Sequence, residues 1–414
     1  MINKFITLLI VVAPIINCYS LPGINNVGLA SVIFIIITPV MLLLTNKKIK
    51  VNAYLAYYLY VIFISLFAIL NISEFEYLSI TMRFMNFSLY FLIILYLGYN
   101  FFDMQLGTKY YQYACIIASV GLILQYIFHN IFFYDLYFWS NFLPLNYSSD
   151  IAEAYTLSEM RTNFAVFRPS SFFMEPSHYA QYVLPCFVLS LLSEKITNSK
   201  LRKLAISTIF FGVLLSTSLN GLIVLIISIL LFLCKNIGSK KVFIYSGLIL
   251  ALCMVAFSFL DFDYFNGIIG RLGSLGNEEL NSVNIRLLAG YFLFLDFNFI
   301  NQIFGCSPFL LREYLNNLGS YFYMYYDSTY MNSVAYLLCT TGVVGSSIFY
   351  YWLFKYFKGK SFLAKSLIIV LFLDLLTASI FNSFTYVLII ALIIGVSGED
   401  TMSDSQIKRI EVAQ

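Results

Sequence analysis

The sequence predicts an all-α, polytopic integral membrane protein with about 12 transmembrane helices, folded as a single membrane domain over residues 1–414. Two observations lead to this prediction. Hydrophobic residues make up 60% of the chain and charged residues only 11%, which gives a mean hydropathy of +0.84. Apolar stretches also recur along the chain at close to the roughly 20 residues that a helix needs to cross a bilayer. A soluble globular protein does not have this composition, so that class is excluded.

Each predicted span is an apolar run bounded by polar or basic residues. The spans lie near residues 4–20, 27–45, 52–70, 78–98, 110–132, 178–193, 204–217, 219–234, 242–260, 330–353, 361–380 and 383–397. One stretch is ambiguous, because the 31 residues of Leu204–Cys234 fit either one long tilted helix or two short spans. Basic clusters at both ends favour two spans. The turn between them would then lie at Ser218, Asn220 and Gly221.

The basic residues predict the orientation of the chain. All 16 lysines, together with Arg202 and Arg409, fall at span ends on one side of the membrane, and positively charged segments stay cytoplasmic. Both termini are then cytoplasmic. The first span ends without a small-residue cleavage pattern, so we interpret it as a retained anchor. The cytoplasmic lysines account for the net charge of +3, which therefore gives no indication of a nucleic-acid partner.

Two loops are too long to be turns, and both lie outside the cytoplasm in this topology. They are residues 133–177 and 261–329, which are 45 and 69 residues long, and loops of that length are usually functional. The basic residues that remain outside the cytoplasm are Arg83, Arg161, Arg168, Arg271, Arg286 and Arg312. Arginine binds phosphate through a planar pair of donors, whereas lysine is a hydrated point charge. We therefore expect the outer face to bind phosphate.

The most specific stretch is RPSSFFMEPSHYAQY, residues 168–182, which leads from the first long loop into the sixth span. Its two prolines fix the backbone before the helix, and Ser177 is predicted to cap the helix start. A helix start presents free amide donors and favours anions. Arg168, Glu175 and His178 would then form a phosphate site with a base beside it. Whether Glu175 or His178 accepts the proton is left open by the sequence.

This stretch resembles the membrane-embedded O-antigen polymerase and ligase superfamily, and in particular its Wzy-type repeat-unit polymerases. That family has a segment of the form R-x-S-x-F-F-x-E-P-S followed by an alanine in the next helix. The matching residues are Arg168, Ser170, Phe172, Phe173, Glu175, Pro176, Ser177 and Ala180.

Two further stretches extend the resemblance. NGLIVLI, from Asn220, takes the place of a short family segment that precedes a helix. NSVAYLLCTTGVVGSSIF, residues 332–349, matches the start of a late span at an asparagine, an aromatic residue and a Gly-x-x-Gly pattern. The matching residues in that span are Asn332, Tyr336, Gly342 and Gly345. Ligases of the superfamily carry a histidine where this chain has Met331, and this difference favours a polymerase.

The resemblance implies a GT-C-like membrane glycosyltransferase in the bacterial inner membrane. Its substrates, donor and acceptor, would be glycans linked to undecaprenyl diphosphate, as in O-antigen and lipopolysaccharide or capsule biosynthesis. The reaction would be an inverting transfer on the periplasmic face, without a cofactor or a metal. Besides the lipid bilayer, its partners would be a chain-length regulator protein and a flippase. Arginine would supply the positive charge that the leaving diphosphate needs.

The remaining candidates have weaker signals. Arg286 begins an apolar stretch that is better suited to lying along the membrane surface, and we expect it to be the second catalytic arginine, meeting the same diphosphate as Arg168. For substrate binding we predict Arg271 on a glycine-rich loop, together with Arg161, Arg312, Asn332 and Tyr336. Arg83, inside the fourth span, is expected to extend its side chain toward the outer surface.

Other interpretations remain open at this stage. Asp261 and Asp263 form an Asp-x-Asp pair at the outer end of the ninth span, but two carboxylates alone are a weak metal signal. A ligase, a polysaccharide flippase or transporter, and a non-catalytic subunit of a glycan-export complex are the competing functions. A transporter is disfavoured because the chain shows no internal repeat and its remaining charges cluster in outer loops.

Overall fold

The structure is a computed structural model, and it describes residues 2–21, 24–69, 77–134, 136, 168–193, 199–237, 285–318, 331–357 and 360–397. This part of the chain is predominantly helical, as predicted. It also contains one antiparallel pair of short strands, β1 (Ser20–Leu21) and β2 (Ile24–Gly28).

The helices follow the predicted order closely. They are α1 (Ile2–Ile16), α2 (Leu29–Leu44), α3 (Ala53–Ile69), α4 (Tyr77–Leu92), α5 (Met104–Phe132), α6 (Pro176–Leu192), α7 (Ser199–Leu215), α8 (Leu219–Ile237), α9 (Gly290–Asp296), α10 (Phe299–Phe304), α11 (Leu311–Leu318), α12 (Ser333–Phe357), α13 (Phe362–Thr377) and α14 (Phe384–Ser397). A π-helical segment, Ile93–Gly98, extends α4 into a last helical turn, Tyr99–Phe101. Another, Ile285–Ala289, precedes α9. Every predicted span except 242–260, which lies outside the described residues, coincides with a helix.

Fewer helices than the twelve predicted spans meet the length of a membrane crossing. Within the described residues, Ile80–Phe101, Met104–Phe132 and Ser333–Lys355 are long and apolar enough to cross a membrane. Shorter apolar helices such as Ala53–Ile69 stop sooner, because 15–17 residues extend only about 25 Å at 1.5 Å per residue. A hydrocarbon core is about 30 Å thick. Among the residues that the structure describes, three helices therefore reach spanning length.

The ambiguous stretch Leu204–Cys234 forms two helices, α7 and α8, rather than one long helix, and that each of them crosses the membrane stays a prediction. The chain turns at Ser216–Ser218, where Thr217 has a φ of +56°. Ser218 accepts a hydrogen bond from the amide of Gly221 at 3.2 Å through its hydroxyl oxygen and so caps α8. The turn therefore lies slightly earlier than predicted, and Asn220 and Gly221 belong to the first turn of α8.

The chain divides into two compact units. Unit 1 comprises Met1–Ile10, Leu29–Met104 and Ser282–Gln414, and unit 2 comprises Val11–Gly28 and Gln105–Asn281. In unit 1, α12 packs against α3, α9, α10 and α13. Buried aromatic rings fill this core, and the ring centroid of Tyr54 lies 4.3 Å from that of Phe91 and 4.3 Å from that of Trp352. That the whole chain forms one membrane domain stays a prediction.

In unit 2, α6 packs against α7 and α8, and small residues allow this close approach. A Cβ atom at Gly221 would lie 2.7 Å from the Cβ atom of Ala180. At Gly212 the hydroxyl of Tyr179 takes the space of a side chain, and this hydroxyl lies 2.8 Å from that of Ser119. The two stretches that carry the family resemblance in this unit, around Ala180 and Gly221, are therefore packed against each other.

The two ends of α6 differ in the charges they meet. At its C-terminal end, the Lys235 ammonium donates to the carbonyl of Leu192 at 2.8 Å, and Arg202 reaches the carbonyl of Ser193 at 3.5 Å. Arg168 lies just before its N-terminal end. Since α6 has 17 residues, roughly 25 Å separates these ends. Within unit 2, the predicted cytoplasmic residues and the predicted outer arginine thus lie at opposite ends of one helix.

Candidate active site

A buried glutamine fixes the backbone that follows Arg168. The side chain of Gln125, on α5, is fully buried, and its Oε1 accepts hydrogen bonds from the amides of Ser170 at 3.2 Å and Ser171 at 2.7 Å. Its Nε2 donates to the carbonyl of Ser171 at 3.3 Å. Three polar backbone groups, which would be costly to bury unsatisfied, are thereby paired. This arrangement fixes the loop beside Arg168 to a long apolar helix.

The loop itself makes a tight turn. Ser171 has a φ of +55°, an uncommon conformation for a residue with a side chain. The Phe173 amide donates to the carbonyl of Ser170 at 3.0 Å, and the Ser170 hydroxyl donates to the carbonyl of Phe173 at 2.6 Å. The Phe173 ring is buried against Tyr179 and Tyr182. Local hydrogen bonds and ring packing therefore hold a strained turn in place.

The side chain of Arg168 is oriented by the turn between α7 and α8. Its Nε donates to the hydroxyl oxygen of Thr217 at 3.2 Å. Thr217 is buried, and its backbone is in the left-handed region. Arg168 is partly buried. A guanidinium held through Nε has a defined plane, which is the condition for binding a planar pair of phosphate oxygens.

Glu175 and His178 lie at the start of α6, but the helix begins differently from the prediction. Ser177 was expected to cap the helix, whereas Glu175 is the residue before the first turn and Pro176 occupies the first helical position. The reason is that proline, which has no amide hydrogen, is favoured at that position. The Ser177 hydroxyl instead donates to the Glu175 carboxylate at 2.8 Å. Glu175 is partly buried, and His178 is exposed.

Arg286 lies in unit 1, in the π-helical segment Ile285–Ala289. The fully buried side chain of Asn332 fixes this segment, because its Nδ2 donates to the carbonyl of Leu287 at 3.2 Å. Its Oδ1 accepts from the Ala335 amide at 2.9 Å and so caps α12. Next to the segment, a Cβ atom at Gly290 would lie 2.6 Å from that of Ala335. Asn332, predicted to bind substrate, is therefore a buried anchor for the segment that carries Arg286.

The Gly-x-x-Gly pattern breaks α12 and admits a loop. Gly342 has a φ of +63° and a ψ of −171°, and a side chain there would collide with the backbone at Ile303 and Gly305. The break exposes carbonyls of α12, and the loop satisfies them. The Cys306 amide donates to the carbonyl of Cys339 at 3.1 Å. The next amide, that of Ser307, donates to the carbonyl of Thr340 at 2.9 Å. The loop before α11 is thus docked into the kink.

The pKa values of two groups around this docked loop are raised. Burial raises the pKa of the Cys306 thiol well above its ordinary value, so the thiol stays protonated and donates to the carbonyl of Cys339 at 3.3 Å. Burial also raises the pKa of Tyr314 on α11, and a hydrogen bond with the side chain of Asn301 lowers it in part. Both groups are therefore neutral at physiological pH. The described cysteines are free thiols.

The predicted substrate-binding residues do not all lie in the part of the chain that the structure describes. Arg312 is exposed on α11, and Tyr336 is partly buried on α12, packed against an apolar cluster that contains Met331. Arg161 and Arg271 lie outside the described residues. Arg168, Glu175 and His178 belong to the same unit, with Arg168 preceding α6 and the other two at its start; that they form one site stays a prediction. Arg286, Arg312, Asn332 and Tyr336 belong to the other unit.

Sequence reasoning missed two residues that hold Arg168 and its loop. Gln125 lies in the apolar run GLILQYIF, where it is the only amide side chain. Thr217 lies next to the residues that were predicted to turn. A polar residue isolated in a long apolar helix was the available signal, because such a residue needs a partner when it is buried.

No protein-family model matches the chain, and no curated protein matches it. Within the described residues, no three histidine, cysteine, aspartate or glutamate side chains lie close enough together to hold a metal ion. Asp261 and Asp263 lie outside those residues.

Proposed function

We propose that this chain is an inverting glycosyltransferase that polymerises undecaprenyl-diphosphate-linked repeat units on the periplasmic face of the bacterial inner membrane, as Wzy-type polymerases do. The observation that carries the proposal is the environment of Arg168. Its guanidinium is oriented by Thr217, and its loop is fixed by the buried Gln125. Glu175 and His178 follow within the next ten residues.

In this proposal the residues have two roles, which are stabilisation of negative charge and acceptance of a proton. Negative charge develops on the lipid diphosphate as the glycosidic bond breaks, and the preoriented guanidinium of Arg168 stabilises it without a metal. The acceptor hydroxyl loses a proton as it attacks. Glu175 or His178 accepts that proton, because both lie at the start of α6. Arg286 is the second arginine of the proposal.

The proposal includes the twelve-span topology with both termini in the cytoplasm. Support comes from α6, whose C-terminal end meets Lys235 and Arg202 while Arg168 precedes its other end. Positive charge concentrated at one end of a helix is typical of the cytoplasmic side. The substrates are lipid-linked glycans, with a chain-length regulator and a flippase as protein partners.

The position of Met331 favours polymerase over ligase. Ligases of the superfamily that this chain resembles have a histidine at this position. Met331 is instead buried in an apolar cluster that includes Leu293 of α9. A thioether cannot accept a proton. The proposal assigns the role of base to Glu175 or His178 at the start of α6 instead.

The test is Arg168→Ala in a bacterium whose surface glycan depends on this chain, with the glycan separated on gels. A polymerase variant gives cores that carry a single repeat unit. Loss of a ligase would instead leave uncapped cores and lipid-linked polymer, and loss of a flippase would leave no periplasmic product. Arg202→Ala is the matched control, because it removes the same charge at the other end of α6. A normal ladder from Arg168→Ala would contradict the proposal.

A further inference from the structure

Arg83 lies on α4 in unit 1, among apolar side chains that face outward. Met82, Phe84 and Met85 are 48%, 38% and 48% exposed. Exposed apolar residues on a helix of spanning length are expected to contact lipid. The side chain of Arg83 is 28% exposed, so its guanidinium reaches the surface that these residues form.

One nitrogen of Arg83 is fully occupied by protein. Its Nη1 donates to both carboxylate oxygens of Glu313 on α11, at 3.0 and 2.8 Å, and to the carbonyl of Phe309 at 2.7 Å. Glu313 is 15% exposed. Arg83 therefore does not simply extend to the outer surface as expected from the sequence. It is ion-paired with a residue 230 positions later in the chain.

Among the described residues, none makes such a contact with the other edge of the guanidinium. In the part of the chain that the structure describes, Nε and Nη2 of Arg83 make no hydrogen bond. These two nitrogens carry parallel N–H groups, which match two oxygens of one phosphate. Because Glu313 and Phe309 hold Nη1, the plane of this edge is fixed before any ligand arrives.

We propose that this edge of Arg83 binds the phosphate of a lipid, with the acyl chain or polyprenyl chain lying along Met82, Phe84 and Met85. The apolar surroundings favour a lipid over a free anion, because a soluble phosphate would gain nothing from them. Arg83 is about one and a half turns from the first residue of α4, which suits headgroup depth. This site lies in unit 1 and does not depend on the proposed polymerase activity.

Glu313 has two opposing effects on such a site. It orients the guanidinium, but its negative charge also weakens the attraction for a phosphate. Glu313→Gln keeps an oxygen that accepts from Nη1 and removes the charge. We therefore expect Glu313→Gln to bind lipid phosphate about two- to fivefold more tightly. Arg83→Ala should weaken binding by roughly 10- to 100-fold, since a charge-assisted hydrogen bond is lost.

The experiment is native mass spectrometry of the full chain in detergent, titrated separately with phosphatidylglycerol and with undecaprenyl diphosphate. Weaker binding of phosphatidylglycerol by Arg83→Ala assigns the site to bilayer phospholipid. Weaker binding of undecaprenyl diphosphate alone assigns it to the lipid carrier. Arg202→Ala, which removes an equal charge in unit 2, should bind both lipids like the wild type.

Two results would overturn the proposal. The first is unchanged binding of both lipids by Arg83→Ala, which would reduce the ion pair to a structural contact. The second result comes from Glu313→Gln, which tests the proposal if Arg83→Ala fails to fold. Unchanged or weaker binding by that variant, whose hydrogen bond to Arg83 is retained, excludes a lipid phosphate at this edge.

Discussion

The segments that carry Arg168 and Arg286 are each fixed by a buried amide side chain, the first mainly through the amide oxygen and the second through the amide nitrogen. Around Arg168, the buried Gln125 accepts hydrogen bonds from two backbone amides of a turn. Around Arg286, the buried Asn332 donates to one backbone carbonyl of a π-helical segment. In both cases an amide side chain from a neighbouring helix satisfies irregular backbone inside an apolar core.

This difference teaches where each segment is vulnerable. Irregular backbone is tolerated at membrane depth only where its polar groups find partners within the protein. The turn after Arg168 depends on one acceptor, Oε1 of Gln125, which serves two amides. The segment at Arg286 depends on one donor, Nδ2 of Asn332, and also on close packing at Gly290. Loss of packing should therefore harm the second segment more than the first.

The largest effect is expected from Gly342→Ala. The φ and ψ of Gly342 are essentially restricted to glycine, and a Cβ atom would collide with the docked loop. We expect loss of the folded protein, measured as the yield of monodisperse protein in detergent. Gly98→Ala is the control, since its nearest contact would be an ordinary 3.5 Å. A normal yield from Gly342→Ala would show that the kink is not needed.

The next effect is expected from Gln125→Ala. This variant leaves the amides of Ser170 and Ser171 buried without their acceptor, at a cost of about 1–3 kcal/mol for each. The melting temperature should fall, and polymerisation should fall further because the loop beside Arg168 is released. Gln112→Ala is the matched control, because Gln112 is equally buried on α5 but donates to Ser190 instead. Equal losses of activity in the two variants would argue against a role in positioning Arg168.

A smaller effect is expected from Asn332→Ser. The serine retains an oxygen that caps α12, but its short side chain has no donor that reaches the carbonyl of Leu287. The expected destabilisation is about 1–3 kcal/mol, the cost of one unsatisfied buried group. Asn332→Ala should cost about 0.5–2 kcal/mol more, because the cap is also lost. Equal melting temperatures for these two variants would mean that the cap contributes little.

The sequence predicted the helices well because apolar runs and basic clusters are local signals. Arg168, Glu175 and His178 share one short segment, so the sequence could group them, and that they act as one site stays a prediction. The sequence misplaced the helix cap at Ser177, because both Ser177 and Pro176 favour a helix start and proline prevailed at the first position. The ion pair between Arg83 and Glu313 joins residues 230 positions apart, and no local pattern indicates such a contact.

The glycines show the same limit. Gly342 and Gly345 were recognised as part of a pattern, but the reason for Gly342 lies in the approach of the loop at Ile303 and Gly305. Likewise, Gly212 and Gly221 are required by the side chains of Tyr179 and Ala180 on another helix. A glycine inside an apolar helix indicates close packing, but the partner is known only once the fold is known.

The central claim is that Arg168 acts through the paired donors of a guanidinium that Thr217 orients. It is tested most directly by Arg168→Lys in purified protein, assayed with lipid-linked repeat units. Lysine keeps the charge but lacks the planar pair of donors. We predict an unchanged amount of folded protein and a polymerisation rate lower by about 10²–10³. A rate equal to that of the wild type would contradict the claim.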